Sequence, residues 1–478
     1  MATTVTPGVE PVYLDGAWLD TGSHLEVRSP YSGEVVATVS RAGAGEARAA
    51  VDAAARALAA PLAPWRRAEI LERVSQLLRE RQEEIAQIVS AEAGKPIRNA
   101  RVEVARAAGT HALSAIEARR LSGDMIPITG TEPGDGHVAF TVRVPIGIIG
   151  AISPFNFPLN LVAHKVAPAI AAGCPIILKP ASQTPVSALR LAALYEEAGL
   201  PAGWLQVIPG AAAAIGDVFV SDDRVRMITF TGSAEVGWEI KARAARKKVV
   251  LELGNASPVI VAPDADLELV ARKVATHAYS YAGQTCISIQ RVIAHRDVID
   301  SLTALLVPQI DALRVGDPAE ETTDVGPLID AENRDRVLEW IEEAVQAGAT
   351  VLSGGVVEAG VIRPTLLANV PLHLRVCRQE VFGPVCTLIP YDTLDEALAL
   401  ANSTEYGLQA AIFTRSIAPA LAAVRALEFG SVMINEAPEY RVDQMPYGGT
   451  KASGNTKEGP GYTVREMTEE RLVVLATG

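Results

Sequence analysis

At 478 residues, 49% hydrophobic and 21% charged, with a mean hydropathy of +0.20, the chain is globular and too long for one ordinary core, so two or more domains are expected. A formal net charge of −13 and an isoelectric point near 5.2 argue against nucleic acid as a partner, because phosphate backbones demand a basic surface. The four cysteines, Cys174, Cys286, Cys377 and Cys386, make no CxxC pair and no Cys/His cluster of zinc spacing, so neither a metal nor a disulfide framework is expected.

Residues 1–14 carry no charged segment followed by an apolar run, and no window approaches ~18 uninterrupted apolar residues. No signal peptide and no membrane span are expected, and the compartment expected is a reducing cytoplasm. Residues 11–38 read as short strands around turns at Asp15-Gly16 and Tyr31-Ser32-Gly33. Residues 43–122 are helical: Ile70, Leu71, Val74, Leu77, Leu78, Ile85, Ile88 and Val89 follow the spacing of one buried face. Gly94-Lys95-Pro96 stops that helix, and 103–121 forms another. The threonine- and valine-rich stretch 126–145, with turns at Gly130 and Gly134-Asp135-Gly136, reads as a hairpin or pair of extended strands projecting from the body.

From residue 144 strands and helices alternate. Apolar strands are predicted at 146–152, 175–178, 205–208, 227–230 and 249–253, with helices at 163–172, 185–198, 211–220 and 235–245 between them. This is the pattern of βαβ units and a parallel sheet covered on both faces. The alternation restarts near Glu252. A strand at 258–261 leads through Pro263-Asp264-Ala265-Asp266 into a helix reaching about Tyr281, and further strands and helices follow at 291–295, 298–313, 331–347, 385–390, 393–402, 410–414 and 417–427. A polar, glycine-rich tail from Pro446 ends in a strand at 471–476. The fold class is α/β, with two parallel-sheet domains divided near Glu252 and no internal repeat.

Five places can carry chemistry. Pro154-Phe155-Asn156-Phe157-Pro158 follows a strand, and its prolines pin an asparagine that can donate to a developing oxyanion or merely cap a turn. Lys179, in Leu178-Lys179-Pro180-Ala181-Ser182, ends another parallel strand, where ligands bind; it suits ribose hydroxyls or a phosphate, or is a solvated surface lysine. Phe230-Thr231-Gly232-Ser233-Ala234-Glu235-Val236-Gly237 is a strand, a small-residue turn and a helix start, which presents free N–H groups to a phosphate without being GxGxxG. Glu252 sits among apolar residues at a strand end, where burial would raise its pKa toward that of a general base unless a lysine or backbone amide pairs with it. Cys286, in Gly283-Gln284-Thr285-Cys286-Ile287-Ser288, is a nucleophile or a small buried hydrophobe. Taken together, these groups describe thiolate attack on a carbonyl, hydride loss to a nicotinamide and hydrolysis of a thioester.

These residues, with Glu92-Ala93-Gly94-Lys95-Pro96, Glu380–Pro384 and Met445–Gly449, lie in the order of the aldehyde dehydrogenase superfamily, which the chain resembles over nearly its full length. The resemblance implies NAD(P)-dependent oxidation of an aldehyde to the acid. It makes Cys286 the nucleophile, Asn156 and the Cys286 backbone N–H the oxyanion hole, and Glu252 the group that activates the deacylating water. Lys179 would hold the adenine ribose, Ser233 the pyrophosphate, Glu380 the nicotinamide ribose and Phe382 the nicotinamide side. Ile152, Ser153, Pro154, Phe155, Ser182, Gly210, Gly216, Phe230, Thr231, Gly232, Gly237, Leu253 and Gly254 would complete the cofactor site. It also implies a cofactor domain of 1–125 and 146–251, a catalytic domain of 252–462, and an oligomerisation arm of 126–145 and 463–478 that builds a homodimer or homotetramer.

Two departures refine the expectation. Ser182 stands where strongly NAD-preferring members carry glutamate, so repulsion of a 2′-phosphate is missing and NADP is expected to be accepted, with or without NAD. The tail Tyr440–Gly449 and Tyr462–Glu469 looks like the branch of lactaldehyde, non-phosphorylating glyceraldehyde-3-phosphate and phosphonoacetaldehyde dehydrogenases. Members acting on phosphorylated or phosphonate aldehydes tend to carry arginine where this chain has Thr285, and often tyrosine or histidine where it has Phe157. A small hydroxy- or carboxylate-bearing aldehyde, or an aromatic one against Phe157, is therefore expected. Arg106 and Arg441 are the candidate anion clamps, with ordinary salt bridging as the alternative. A CoA-acylating dehydrogenase commonly lacks the glutamate at the base position, and a non-enzymatic relative would have lost the thiol or the asparagine.

Overall fold

The apolar spacing between residues 64 and 120 is realised as three helices, Pro64–Glu80, Gln82–Ala93 and Ile97–Arg120. In this computed structural model, which describes residues 8–477, Ile70, Leu71, Val74, Leu77, Leu78, Ile85 and Val89 are all buried and Ile88 is partly buried. Readings that fall on residues 1–7 and 478, the ends of the expected domains and half of the stretch 1–14, lie outside the described residues.

These helices pack on helices Asn160–Ala172 and Val186–Glu197, which lie against a seven-stranded sheet in the order Lys248–Glu252, Val225–Thr231, Ile148–Ile152, Ile176–Lys179, Leu205–Val207, Val12–Leu14, Ala17–Leu19. The first five strands are parallel, and the last two are an antiparallel hairpin turning at Asp15-Gly16. Helix Asn160–Ala172 is buried along its whole length, which is why its sequence is apolar on every side apart from Asn160, His164 and Lys165.

A second seven-stranded sheet runs Thr350–Ser353, Thr365–Ala368, Val385–Tyr391, Ile289–His295, Ser257–Val261, Gln409–Phe413, Ser431–Ile434. All its neighbours are parallel except the first pair. The strands at 350–353, 365–368 and 431–434 are additions to the sequence reading; each is four residues long, too short for periodicity to separate strand from loop. The chain crosses from the first sheet to the second between Glu252 and Ser257.

Two elements differ from expectation for clear reasons. Strand His137–Pro145 does not fold back on 126–136 as a full hairpin. It pairs antiparallel with Thr468–Ala476 along its nine residues, while Met125–Ile126 adds only a short third strand. Between them lie two 3-10 turns containing Gly130, Pro133 and Gly134, a composition that cannot sustain a ladder. The helix expected to reach Tyr281 stops at His277, because Tyr281 and Ala282 adopt left-handed backbone.

The two sheets meet the same cleft with opposite edges. The first presents the carboxyl ends of its strands, which carry Ser153–Asn156, Lys179, Gly232 and Glu252. The second presents the amino ends, preceded by Asn255, Cys286 and Glu380.

Candidate active site

The loop that carries the thiol is bent before it is packed. Tyr281, Ala282 and Gly283 are left-handed in succession, at φ 46°, 53° and 69°. For the two non-glycine residues this conformation costs about 1–2 kcal/mol each, so surrounding contacts must enforce it. They do. The Tyr281 hydroxyl donates to Ala93 O at 2.7 Å, and the Gln284 amide donates to Tyr281 O and Pro327 O at 3.3 Å each while accepting from Ile329 N at 2.9 Å. A side chain at Gly283 would run into the Gly383 carbonyl, so the loop lies directly on the 380–384 segment. Cys286 emerges from this bend partly exposed, whereas Cys174, Cys377 and Cys386 are buried. Its Sγ lies 2.7 Å from the Tyr447 hydroxyl. Burial pushes the thiol up to about 12, against the lowering effect of the Tyr447 hydrogen bond.

Asn156 faces the thiol loop from the first sheet. Its Nδ2 donates to Gln284 O at 3.0 Å, which fixes the amide, and its buried Oδ1 has no partner. The second Nδ2 hydrogen and the Cys286 backbone N–H find no protein acceptor among the described residues. The loop is anchored from beneath. Glu103 accepts from Leu159 N at 2.9 Å and Asn160 N at 3.0 Å, and pairs with Lys95, both side chains being fully buried. The Lys95 ammonium sits 3.7 Å above the Phe157 ring and 4.5 Å above that of Tyr281, which ties the asparagine loop to the cysteine loop.

Asn156, Phe157, Thr285, Cys286, Arg106 and Arg441 line one cavity of about 380 Å³, together with Tyr447 and Tyr440. Arg106 pairs with Asp443 at 2.8 Å. Arg441 is no surface residue: its side chain is 7% exposed and pairs with Glu458 at 2.7 Å, yet its Nε is buried without an acceptor. The ordinary salt-bridge reading therefore describes Arg106 better than Arg441.

Glu252 ends strand Lys248–Glu252, and both its carboxylate oxygens are buried and unpartnered. Burial first, and then the neighbouring Glu458, raise it well above the usual carboxylate range. In this conformation it lines a small void with His164, Lys457 and Glu458 rather than the main cavity. The pocket behind it is charged. Lys165 donates to Thr229 Oγ1 at 3.1 Å and Thr231 Oγ1 at 2.7 Å, and His164 Nε2 lies 2.9 Å from Asp443 Oδ1. Burial pushes Glu458 up, but His164, Arg441 and Lys165 outweigh it and hold Glu458 at about 2, so of the two carboxyls Glu458 carries the charge.

The remaining predicted residues gather on the first sheet's edge. Ile152 is in register with Lys179 and Phe230, and Thr231 with Glu252; Gly232 N donates to Glu252 O at 3.2 Å. Ser153 N donates to Lys179 O at 3.2 Å and its buried hydroxyl is unpartnered; Ser182 Oγ donates to Gly210 O at 3.4 Å. Lys179 is 5% exposed, lowered to about 8 by burial, and its ammonium finds no acceptor among the described residues. Ser233 precedes helix Ala234–Arg243 without capping it, Gly237 leans on Leu253 and Phe230, and Gly216 lies in helix Ala212–Ser221 with open space beside it. Phe155 and Phe382 meet edge to face at 5.8 Å, beyond Pro154. Glu380 accepts from Asn255 N at 3.0 Å, is raised to about 7 by burial, and fills the space a side chain at Gly254 would take. An unpaired ammonium on a largely buried lysine, an uncapped helix start and a carboxylate next to an aromatic pair are groups that a nicotinamide dinucleotide fits. No His/Cys/Asp/Glu cluster that could hold a metal occurs among the described residues.

Sequence reasoning passed over Tyr447, Lys165, His164, Asp443, Glu458 and the Lys95–Glu103 pair. A signal existed for two of them. His164 and Lys165 stand in the middle of an otherwise apolar helix, and such residues are rarely buried unless paired.

The pattern of the Aldehyde dehydrogenase family matches residues 18–473. The chain is 46% identical to a 3-sulfolactaldehyde dehydrogenase of Priestia aryabhattai, over 97% of each chain. It superposes with a TM-score of 0.95 on an aldehyde dehydrogenase of Physcomitrella patens in complex with the reaction product succinate, 39% identical over 99% of each chain. A glyceraldehyde-3-phosphate dehydrogenase of Methanocaldococcus jannaschii complexed with NADP, 39% identical, superposes with a TM-score of 0.91 over 95% of this chain and 99% of its own. With this match in sequence and fold around a reachable cysteine, this chain belongs to the aldehyde dehydrogenase family.

Proposed function

We propose that the enzyme oxidises a small aldehyde bearing an anionic or hydroxylated tail to its carboxylic acid, through a thioester on Cys286 that water hydrolyses. The observation that carries this reading is the common cavity of Cys286, Asn156 and Arg441. The Cys286 thiolate attacks the aldehyde carbon. The developing oxyanion is met by the free Nδ2 hydrogen of Asn156 and the Cys286 backbone N–H, donors already fixed before substrate arrives. A nicotinamide dinucleotide, when bound, supplies the acceptor for the hydride that leaves the thiohemiacetal carbon. Lys179 and Ser182 would hold its adenine ribose, Ser233 its pyrophosphate, and Glu380 with Phe382 its nicotinamide end. Ser182 in place of a carboxylate, beside an unpaired Lys179, supports NADP as well as NAD, and the relative complexed with NADP agrees.

Glu252 then takes a proton from the water that attacks the thioester, and the acid leaves with the thiol restored. It must turn from its void toward Cys286 to do so, and its raised pKa makes it an effective base only once ionised. The presence of this carboxylate favours hydrolysis over transfer to CoA. For the substrate's tail, the unpaired Nε of buried Arg441 favours an anion, in keeping with a relative named for 3-sulfolactaldehyde and another solved with succinate. The domain division goes with this reading: a cofactor unit of 1–125 and 146–251, a catalytic unit of 252–462, and an arm of 126–145 and 463–478. Exposed Leu472, Val474 and Leu475 on the arm's strand support a homodimer or homotetramer.

The test is a panel of aldehydes, hydroxylated, anionic, aromatic and phosphorylated, assayed with NAD and with NADP for wild type and Cys286→Ala. The expected result is turnover of small anionic or hydroxylated aldehydes by wild type alone. Turnover retained by Cys286→Ala would overturn the mechanism, and preference for aromatic aldehydes would overturn the substrate class.

A further inference from the structure

Tyr447 joins the nucleophile to the buried charge network. Its side chain is buried, its hydroxyl lies 2.7 Å from Cys286 Sγ, and the Arg441 guanidinium stacks 3.7 Å from the centre of its ring. The ring cannot easily swing away. Its backbone exchanges hydrogen bonds with Glu458, Tyr447 N to Glu458 O at 2.9 Å and Glu458 N to Tyr447 O at 2.5 Å, and Glu458 in turn holds Arg441 at 2.7 Å. A phenol braced in this way is aimed at one atom.

In the neutral pair either group can donate. Once the thiol ionises, sulfur has only lone pairs and the phenol must be the donor, giving a charge-assisted hydrogen bond. We propose that Tyr447 is a catalytic residue whose hydroxyl donates to the Cys286 thiolate and stabilises the ionised nucleophile before the aldehyde arrives. The thiol proton leaves to solvent through the cavity, the phenol keeps its own proton, and only the S–H bond is broken. This rests on Cys286 being the nucleophile.

The other charges facing the sulfur sharpen the need for such a donor. Glu380 and Glu252 disfavour a thiolate and Arg441 favours it; Lys95, Arg106, His277 and Glu439 stand further round the same cavity. Burial outweighs all of these, and the Tyr447 hydrogen bond is the largest opposing influence. The Arg441 cation on the ring makes the phenol a better donor, since it favours negative charge on the tyrosine oxygen.

The experiment is alkylation of the full-length enzyme by iodoacetamide across pH without aldehyde, with the Cys286 peptide quantified by mass spectrometry. Cys174, Cys377 and Cys386 are buried and serve as internal references. In Tyr447→Phe the alkylation profile should move to higher pH by about one unit, which lowers the rate at neutral pH about tenfold. An unmoved profile, or faster alkylation, would mean that the phenol only accepts from or shields the thiol, and would overturn the proposal. Replacing Tyr447 with 3-fluorotyrosine keeps the shape and strengthens the donor, so it should move the profile to lower pH; no shift or an upward one again overturns it. In wild type, alkylation of Cys286 should abolish turnover. If it does not, the nucleophile assignment itself fails and the role of Tyr447 falls with it.

Discussion

The two sheets contribute to one cleft in different ways. The first offers strand carboxyl ends, and among its residues from 146 to 256 only glycines have left-handed backbone. The second offers strand amino ends, and its site loops hold three non-glycine residues at positive φ: Tyr281, Ala282 and Phe382. Relaxed geometry thus places the groups that need only to be present, Asn156, Lys179 and Glu252. Strained geometry places the groups that must reach across, Cys286 and the Glu380–Phe382 segment. Strain of this kind persists only where surrounding contacts over-determine the backbone, as the hydrogen bonds of Tyr281 and Gln284 do here.

The contrast can be broken from either side, and the largest effect is expected on the relaxed one. Glu252→Gln should leave the fold and the acylation half-reaction intact while removing the proposed base, so steady-state turnover should fall about 10²–10⁴-fold while a burst of reduced nicotinamide persists in stopped flow. In wild type the same group sets a pH limb. The raised Glu252 must lose its proton to act, so kcat should rise with pH across a limb well above the usual carboxylate range, and that limb should be missing in the variant. Asn156→Ala should lower kcat about 10²–10³-fold, with a modest fall in melting temperature because the buried Gln284 carbonyl loses its donor. A loss confined to KM would contradict its role.

On the strained side, Gly283→Ala drives a methyl group into the Gly383 carbonyl at a φ that disfavours alanine. It should displace Cys286, lower kcat by up to about 10²-fold and lower the melting temperature by more than Asn156→Ala does. The smallest effect sits just beyond the central strand of the first sheet, Ile176–Lys179. Ser182→Glu should raise the KM for NADP about tenfold and leave NAD kinetics unchanged, through repulsion of the 2′-phosphate. Unchanged NADP kinetics would remove Ser182 from the account.

This contrast also explains what could be read from residues alone. Asn156, Lys179, Gly232 and Glu252 follow apolar runs that announce parallel strands, so the rule that ligands collect at strand carboxyl ends finds them. Cys286 and Glu380 precede their strands, outside that rule: Cys286 stands out as a thiol in a short polar turn, whereas the role of Glu380 comes from the family resemblance alone. Arg441 is legible as a candidate anion clamp, but Tyr447 and Glu458 only as parts of a polar tail, because the residues they meet lie far away in sequence: Tyr447 meets Cys286 and Arg441 meets His164 through the fold alone. The arm divides in the same way. Its long strand is apparent from valine and threonine content, but its partner, Thr468–Ala476, is chosen by register between chain segments that no local pattern connects.

The central claim is that a thioester forms on Cys286 and that Glu252 releases it. Acid-quenched Glu252→Gln enzyme, mixed with aldehyde and NADP and digested for mass spectrometry, tests both halves together. The account predicts that the peptide containing Cys286 gains the mass of the acyl group in near-stoichiometric amount, and that wild type treated alike shows little of it. An unmodified Cys286 peptide beside a burst of reduced nicotinamide would contradict it.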